Sequence, residues 1–182
     1  MPYKTYELLA QQVIDSYGKT TGRCLDLSSD QGLMGLEIAR QSNLFVFISS
    51  SQGHSLVRAE LNSRREKLAD RIALIRSSVE DLPFIDNYFD LVISQGSILS
   101  WPDKAAAFRE IFRVLKPGSK AYIGEGLSRH RSEENQQFGP AEKSPEQAKI
   151  RSPEYMQEVL RKAAIHNYNL VIGSESWIEI WK

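Results

Sequence analysis

Residues 44–48 read LFVFI, an unbroken apolar run bracketed by Asn43 and by the polar stretch SSSQG at 49–53. Side chains along a strand alternate between two faces, so an uninterrupted apolar run needs cover on both. A parallel sheet between layers of helices provides that cover. Further short apolar runs fall at 23–27, 72–75, 89–94 (FDLVIS) and 121–124, with helix-like segments between them. This alternation predicts a doubly wound α/β fold.

The intervening helices are read from spacing. Tyr6, Leu9, Val13 and Tyr17 recur every three or four residues and predict a helix over 4–17, stopped around Gly18 and Gly22. A second helix is expected over 33–41, burying either Leu36 and Ala39 or Met34 and Ile38. A third, over 56–68, is charged along one side. Asp103 is placed to cap a fourth, which carries Phe108, Ile111, Phe112 and Leu115 and should stop at Lys116-Pro117-Gly118. The last helix is expected over 153–166. The end, YNLVIGSESWIEIWK, reads as two alternating runs around Gly173-Ser174, an antiparallel hairpin at the sheet edge. Residues 128–152 are polar and nearly free of aliphatics, the signature of a lid or a flexible segment.

Composition narrows the function classes. The 182 residues suffice for one domain with a full core, and no repeat or second domain is visible. The 23 Lys and Arg balance the 23 Asp and Glu, so neither nucleic acid nor a membrane surface is an expected partner. The single cysteine, Cys24, excludes an internal disulfide framework and sits in an apolar run, where a buried inert thiol is expected. The opening MPYKTYELL lacks the apolar stretch of a secretory leader, and no run approaches the roughly 20 apolar residues of a membrane span. A reducing cytoplasm is the expected setting. No Cys/His cluster of metal-ligand spacing, GxSxG elbow or P-loop is present.

Three segments carry a resemblance. Residues 24–35, CLDLSSDQGLMG, close a short apolar run with an aspartate and pass through a small-residue loop into a helix. Residues 78–101 read SVEDLPFIDNYFDLVISQGSILSW, and residues 108–126 read FREIFRVLKPGSKAYIGEG. Over about residues 22–126 this order resembles the class I S-adenosylmethionine-dependent methyltransferases, and among them the methyltransferase type 11 group. The resemblance implies a Rossmann-like fold: a doubly wound, mostly parallel seven-stranded sheet with a C-terminal antiparallel hairpin. It implies one domain laid out as an N-terminal helix (1–22), a ligand-binding core (23–126), the polar segment (128–152) and a C-terminal helix and hairpin (153–182). It also implies S-adenosyl-L-methionine as cofactor and a small-molecule methyl acceptor.

Ligands of open parallel sheets bind beyond the carboxyl ends of the strands. The resemblance therefore places the methionine moiety over Asp26, Ser28, Ser29, Asp30 and Gly32. It places the ribose at Ser49 and Ser50, and the adenine at Ser78 and the backbone of Val79. Ser94 and Gln95 complete the cofactor-binding set beside the acceptor. Ser100 stands where relatives often carry a histidine; with Trp101 and His130 it forms the acceptor-side candidates. His54 and His166, at a helix start and a helix end, are expected on the surface.

The chain also departs from the family pattern. The first loop usually runs Asp, apolar, Gly, small, Gly, any, Gly; here Gly32 is the glycine that survives. The carboxylate that meets the ribose hydroxyls is replaced by Ser49, and that near the adenine amino group by Ser78. A hydrogen bond to a charged group contributes about 1.5–3 kcal/mol and a neutral one about 0.5–1.5, so each exchange costs on the order of tenfold in affinity. Asp30 would repel a pyrophosphate, which disfavours a dinucleotide and an NAD-dependent oxidoreductase. Two expectations stand: a methyltransferase on a small molecule, or an inactive methyltransferase-like domain that serves as a binding or protein-partner subunit.

Overall fold

The structure, a computed structural model, describes residues 3–28, 31–124, 149, 152–171 and 177–182. Ser29, Asp30, His130, nearly all of the polar segment 128–152 and the Gly173-Ser174 turn lie outside the described residues.

Seven strands form one sheet: β1 (Thr21–Asp26), β2 (Asn43–Ser49), β3 (Ile72–Ile75), β4 (Phe89–Gln95), β5 (Leu115–Gly124), β6 (Tyr168–Val171) and β7 (Trp177–Trp181), in the order β3-β2-β1-β4-β5-β7-β6. The first five are parallel; β7 runs antiparallel between β5 and β6. The chain winds outward from β1 to β3, then returns to lay β4 against the other side of β1. That reversal makes the carboxyl ends of β1 and β4 the switch point, where a crevice opens.

Among the described residues five helices cover the sheet: α1 (Tyr3–Tyr17), α2 (Leu33–Gln41), α3 (Gly53–Arg65), α4 (Lys104–Val114) and α5 (Pro153–Lys162). Leu9 and Val13 of α1, Met34 and Ile38 of α2 and Ala59 of α3 bury one face, packing with Val46, Ile48, Leu91 and Ile93. Phe108 and Ile111 of α4 and Met156 and Leu160 of α5 bury the other, with Leu25, Val92 and Ile123. Cys24 and Leu25 fall into opposite clusters, as the alternation of a strand requires. Among the described residues no helix is long and apolar enough to cross a membrane.

The two-sided cover expected for LFVFI is only partly realised. Leu44, Val46 and Ile48 are buried, whereas Phe45 is exposed and Phe47 is half-buried. No helix lies between β3 and β4. Residues 76–88 cross that face as a loop, and Phe84, Tyr88 and Phe89 cover Phe47 edge-on with ring centroids 5.4–5.8 Å away.

Three boundaries also differ from expectation. α3 begins and ends earlier, at Gly53 and Arg65, and closes with Lys67 in the left-handed region (φ 57°) while Leu68 N donates to Ser63 O. α5 ends at Lys162, not near 166; Ala164 takes φ 57° and Ile165 N donates to Leu160 O, so His166 lies beyond the helix. The Lys116-Pro117-Gly118 signal does not stand between helix and strand. α4 stops at Val114, and the signal is a bulge inside β5, where Phe89 faces Leu115 but Leu91 faces Lys120. The Asp103 cap is present, its carboxylate accepting from Ala106 N at 2.9 Å.

Candidate functional site: a hydroxyl-lined cleft at the switch point

The floor of the crevice starts at Asp26. Its side chain is fully buried; Oδ1 accepts from Ser28 N and Oδ2 from Gly35 N, each at 2.8 Å. Burial pushes its pKa up, while the bonds from Ser28 and Gly35 pull it down. The second bond depends on Gly35, because a Cβ there would sit 2.6 Å from Asp26 Oδ2 and 3.1 Å from Val46 Cγ1. Asp26 thus ties the β1 loop to the first turn of α2 from below and does not line the cleft.

Gly32 serves the same region through packing. Its φ is 80°, and a Cβ would lie 2.8 Å from Ile48 Cδ1 and 2.9 Å from Ala59 Cβ. Its lack of a side chain lets α2 seat against β2 and α3. On the other side, Leu27 N donates to Ile93 O at 2.8 Å, and Ser28 Oγ accepts from Gln95 N at 3.0 Å. These bonds lock the β1 loop to the end of β4. The Gln95 side chain is buried there, and its Oε1 has no partner among the described residues.

At the end of β2, Ser49 Oγ lies 2.7 Å from Ser77 Oγ, across the β2–β3 boundary. Ser50 Oγ accepts from Gln52 N at 3.1 Å, shaping the entry to α3. Beyond β3 the Ser78 hydroxyl donates to the Glu80 carboxylate, and Asp103 N makes a long 3.4 Å contact with the same carboxylate. After β4 the hydroxyls of Ser94 and Ser97 bond each other, and Ser100 Oγ donates to Ser97 O at 2.7 Å. Trp101 is buried, packs edge-on against Phe108 at 5.7 Å, and offers its carbonyl to Lys104 Nζ at 3.0 Å.

The four loops enclose a cleft of about 340 Å³. Such a volume falls at the small end of the roughly 300–1,000 Å³ of ligand sites. Leu27 and Ser28 line it after β1, Ser49, Ser50, Ser51, Gln52 and Ser55 after β2, Ser77 to Glu80 after β3, and Ser97, Ser100, Trp101 and Pro102 after β4. Hydroxyls dominate this wall, and Glu80 is the one ionisable side chain among these lining residues. Of the residues singled out from sequence, Ser28, Ser49, Ser50, Ser78, Val79, Ser100 and Trp101 meet at the cleft. Asp26, Gly32, Ser94 and Gln95 support it from behind. Ser77, Glu80 and Ser97 were not singled out; Ser77 and Glu80 flank the chosen Ser78-Val79 pair in SSVE, so their nearness was visible.

A family model described as a methyltransferase domain matches residues 25–123, more than half of the chain. The chain belongs to this methyltransferase domain family. It is 32% identical over 130 residues to the ubiquinone/menaquinone biosynthesis C-methyltransferase UbiE of Vibrio campbellii, an alignment covering 66% of this chain and 48% of that protein. The chain thus spans about half the length of the curated relatives it matches. Among solved structures, a provisionally named S-adenosyl-L-methionine-dependent methyltransferase of Methanococcus maripaludis superposes with a TM-score of 0.84 at 33% identity, over 98% of this chain and 85% of that one. Phosphoethanolamine N-methyltransferase 2 of Haemonchus contortus, solved with phosphomonomethylethanolamine and S-adenosylhomocysteine, gives 0.68 at 25% identity, over 90% and 38% of the two chains. The methyltransferase fold expected from the sequence, a mostly parallel seven-stranded sheet with C-terminal antiparallel strands, is therefore that of the structure.

Proposed function

We propose that this methyltransferase-family domain binds S-adenosyl-L-methionine and methylates a small-molecule acceptor. The observation that carries the reading is the cleft itself: it opens at the switch point and is walled by the loops after β1, β2, β3 and β4. Family membership supports it, as does the S-adenosylhomocysteine held by the Haemonchus contortus neighbour. The residues present fit an adenosyl ligand. The wall is rich in hydroxyl donors and acceptors. Ser28, with the loop held by Asp26, would receive the methionine end; Ser49 the ribose; Ser78 and the Val79 backbone the adenine.

When bound, S-adenosyl-L-methionine supplies an electrophilic methyl group. The chain's own contribution is placement. Among the described residues no histidine, lysine or arginine lines the cleft, and Glu80 is engaged by Ser78. The residues on the wall therefore orient an acceptor that already carries its nucleophile, and holding reactants in line supplies much of the rate. With one carboxylate and no cation among the described residues of the wall, these residues suit a neutral or cationic small molecule better than an anion.

One observation favours a second reading, a binding subunit without methyl transfer. Serines stand at 49 and 78, where the family resemblance leads one to expect carboxylates for the ribose and adenine. Incubation with methyl-labelled S-adenosyl-L-methionine and a panel of phenolic, quinol, amine and thiol acceptors separates the two. Label in an acceptor, with S-adenosylhomocysteine released, is the outcome expected of the enzyme. Ligand binding without transfer to any acceptor class favours the second reading.

A further inference from the structure

The ends of β2 and β3 bring together two hydroxyls that no sequence motif links. The strands run parallel with Ser49 opposite Ile75, and Ser50 N extends the ladder by donating to Ile75 O at 3.1 Å. Two residues past Ile75 the chain delivers Ser77, whose Oγ is 2.7 Å from Ser49 Oγ. Both residues line the cleft, and Ser49 is recessed, only 4% exposed. Neither hydroxyl has another partner among the described residues.

We infer that Ser77 completes, with Ser49, a neutral two-hydroxyl clamp for the ribose diol of an adenosyl ligand, an inference that rests on the proposed cofactor reading. Two serine hydroxyls carry two donors and four lone pairs. Their mutual bond consumes one of each, leaving one donor and three acceptor sites on two residues that line the cleft. A vicinal diol matches most of that set: its two O–H groups donate to two of the three acceptor sites, and one of its oxygens accepts the remaining serine proton. A carboxylate at position 49 would accept both diol protons and donate nothing. The pair therefore recognises the diol without charge. It draws one of its two members from the loop after β3, which the family resemblance assigns to the adenine.

The test is calorimetric titration of the wild-type chain, Ser77→Ala and Ser77→Thr with S-adenosylhomocysteine and with its 2′-deoxy and 3′-deoxy analogues. Thermal unfolding serves as the check that each variant is folded. The wild type should bind S-adenosylhomocysteine and lose about three- to tenfold towards at least one deoxy analogue, the loss of a neutral hydrogen bond. Ser77→Ala should weaken S-adenosylhomocysteine by about three- to tenfold and shrink the preference over the deoxy analogue towards unity. Ser77→Thr, which keeps the hydroxyl, should restore both. A folded Ser77→Ala variant that binds as tightly as wild type overturns the clamp. So does one that binds more weakly yet keeps the full preference, since Ser77 would then act only on the shape of the loop. Failure of the wild type to bind S-adenosylhomocysteine at millimolar concentration overturns the cofactor reading and the clamp with it.

Discussion

Replacing Gly35 with alanine sets two effects against each other. On an exposed helix the exchange stabilises by about 1 kcal/mol, because alanine is the better helix former. In α2 the new methyl group would meet Asp26 Oδ2 at 2.6 Å and Val46 Cγ1 at 3.1 Å, both part of the buried interior. Relieving that overlap moves the helix or the carboxyl group, at a cost of about 1–3 kcal/mol. It also pulls apart the 2.8 Å bond from Gly35 N to Asp26, and a buried group left without its partner costs roughly 1–3 kcal/mol. The net effect is a destabilisation of about 3 kcal/mol, or a Tm lower by roughly 6–12 °C for a domain of this size. Circular dichroism melts with urea titrations at constant m-value measure it. A variant as stable as the wild type, or more so, would show that α2 does not rest on Asp26.

Other perturbations probe separate links. Asp103→Ala removes the acceptor of Ala106 N and should cost about 1 kcal/mol in urea unfolding; an unchanged midpoint would remove the cap from the account. Glu110 is held below the usual carboxylate range first by its bonds from Arg113 and then, against the opposing effect of burial, by Leu82 N. A depressed carboxylate contributes stability that is present above its unfolded pKa of about 4.3 and is lost as pH falls through the folded value. Glu110→Gln should therefore flatten the acid side of the stability profile, and urea midpoints that still fall as steeply below about pH 5 as in the wild type would count against it. Ser49→Asp should tighten S-adenosylhomocysteine by on the order of tenfold, as a charged acceptor replaces a neutral one; unchanged affinity would place the ribose elsewhere.

What the sequence made legible was chemistry confined to neighbours in the chain. The runs at 44–48 and 89–94 marked strands because short, mostly apolar runs between helix-like segments suit a sheet, and Asp103 marked a helix start because a cap acts within one turn. Helix ends were harder to place. α3 and α5 close through Lys67 and Ala164 in left-handed conformations, positions where no glycine signals a stop. The Lys-Pro-Gly signal at 116–118 named a break correctly but not its kind, since a bulge inside β5 depends on how that strand registers against β4. The site divides in the same way. The family resemblance placed Ser28 and Ser49 at the ends of β1 and β2, and both line the cleft. The Asp26–Gly35 bond and the Ser49–Ser77 pair arise only when a helix docks on a strand or two strands fix their register, and no local pattern records either.

The central claim, that the serine-lined cleft of this methyltransferase-family chain holds an adenosyl cofactor, is tested most directly by titrating the purified chain with S-adenosyl-L-methionine and, separately, with S-adenosylhomocysteine in a calorimeter, alongside thermal melts. The account predicts saturable binding of one ligand per chain, between micromolar and millimolar strength, with a matching rise in Tm. No heat and no thermal stabilisation by either compound at millimolar concentration would contradict it.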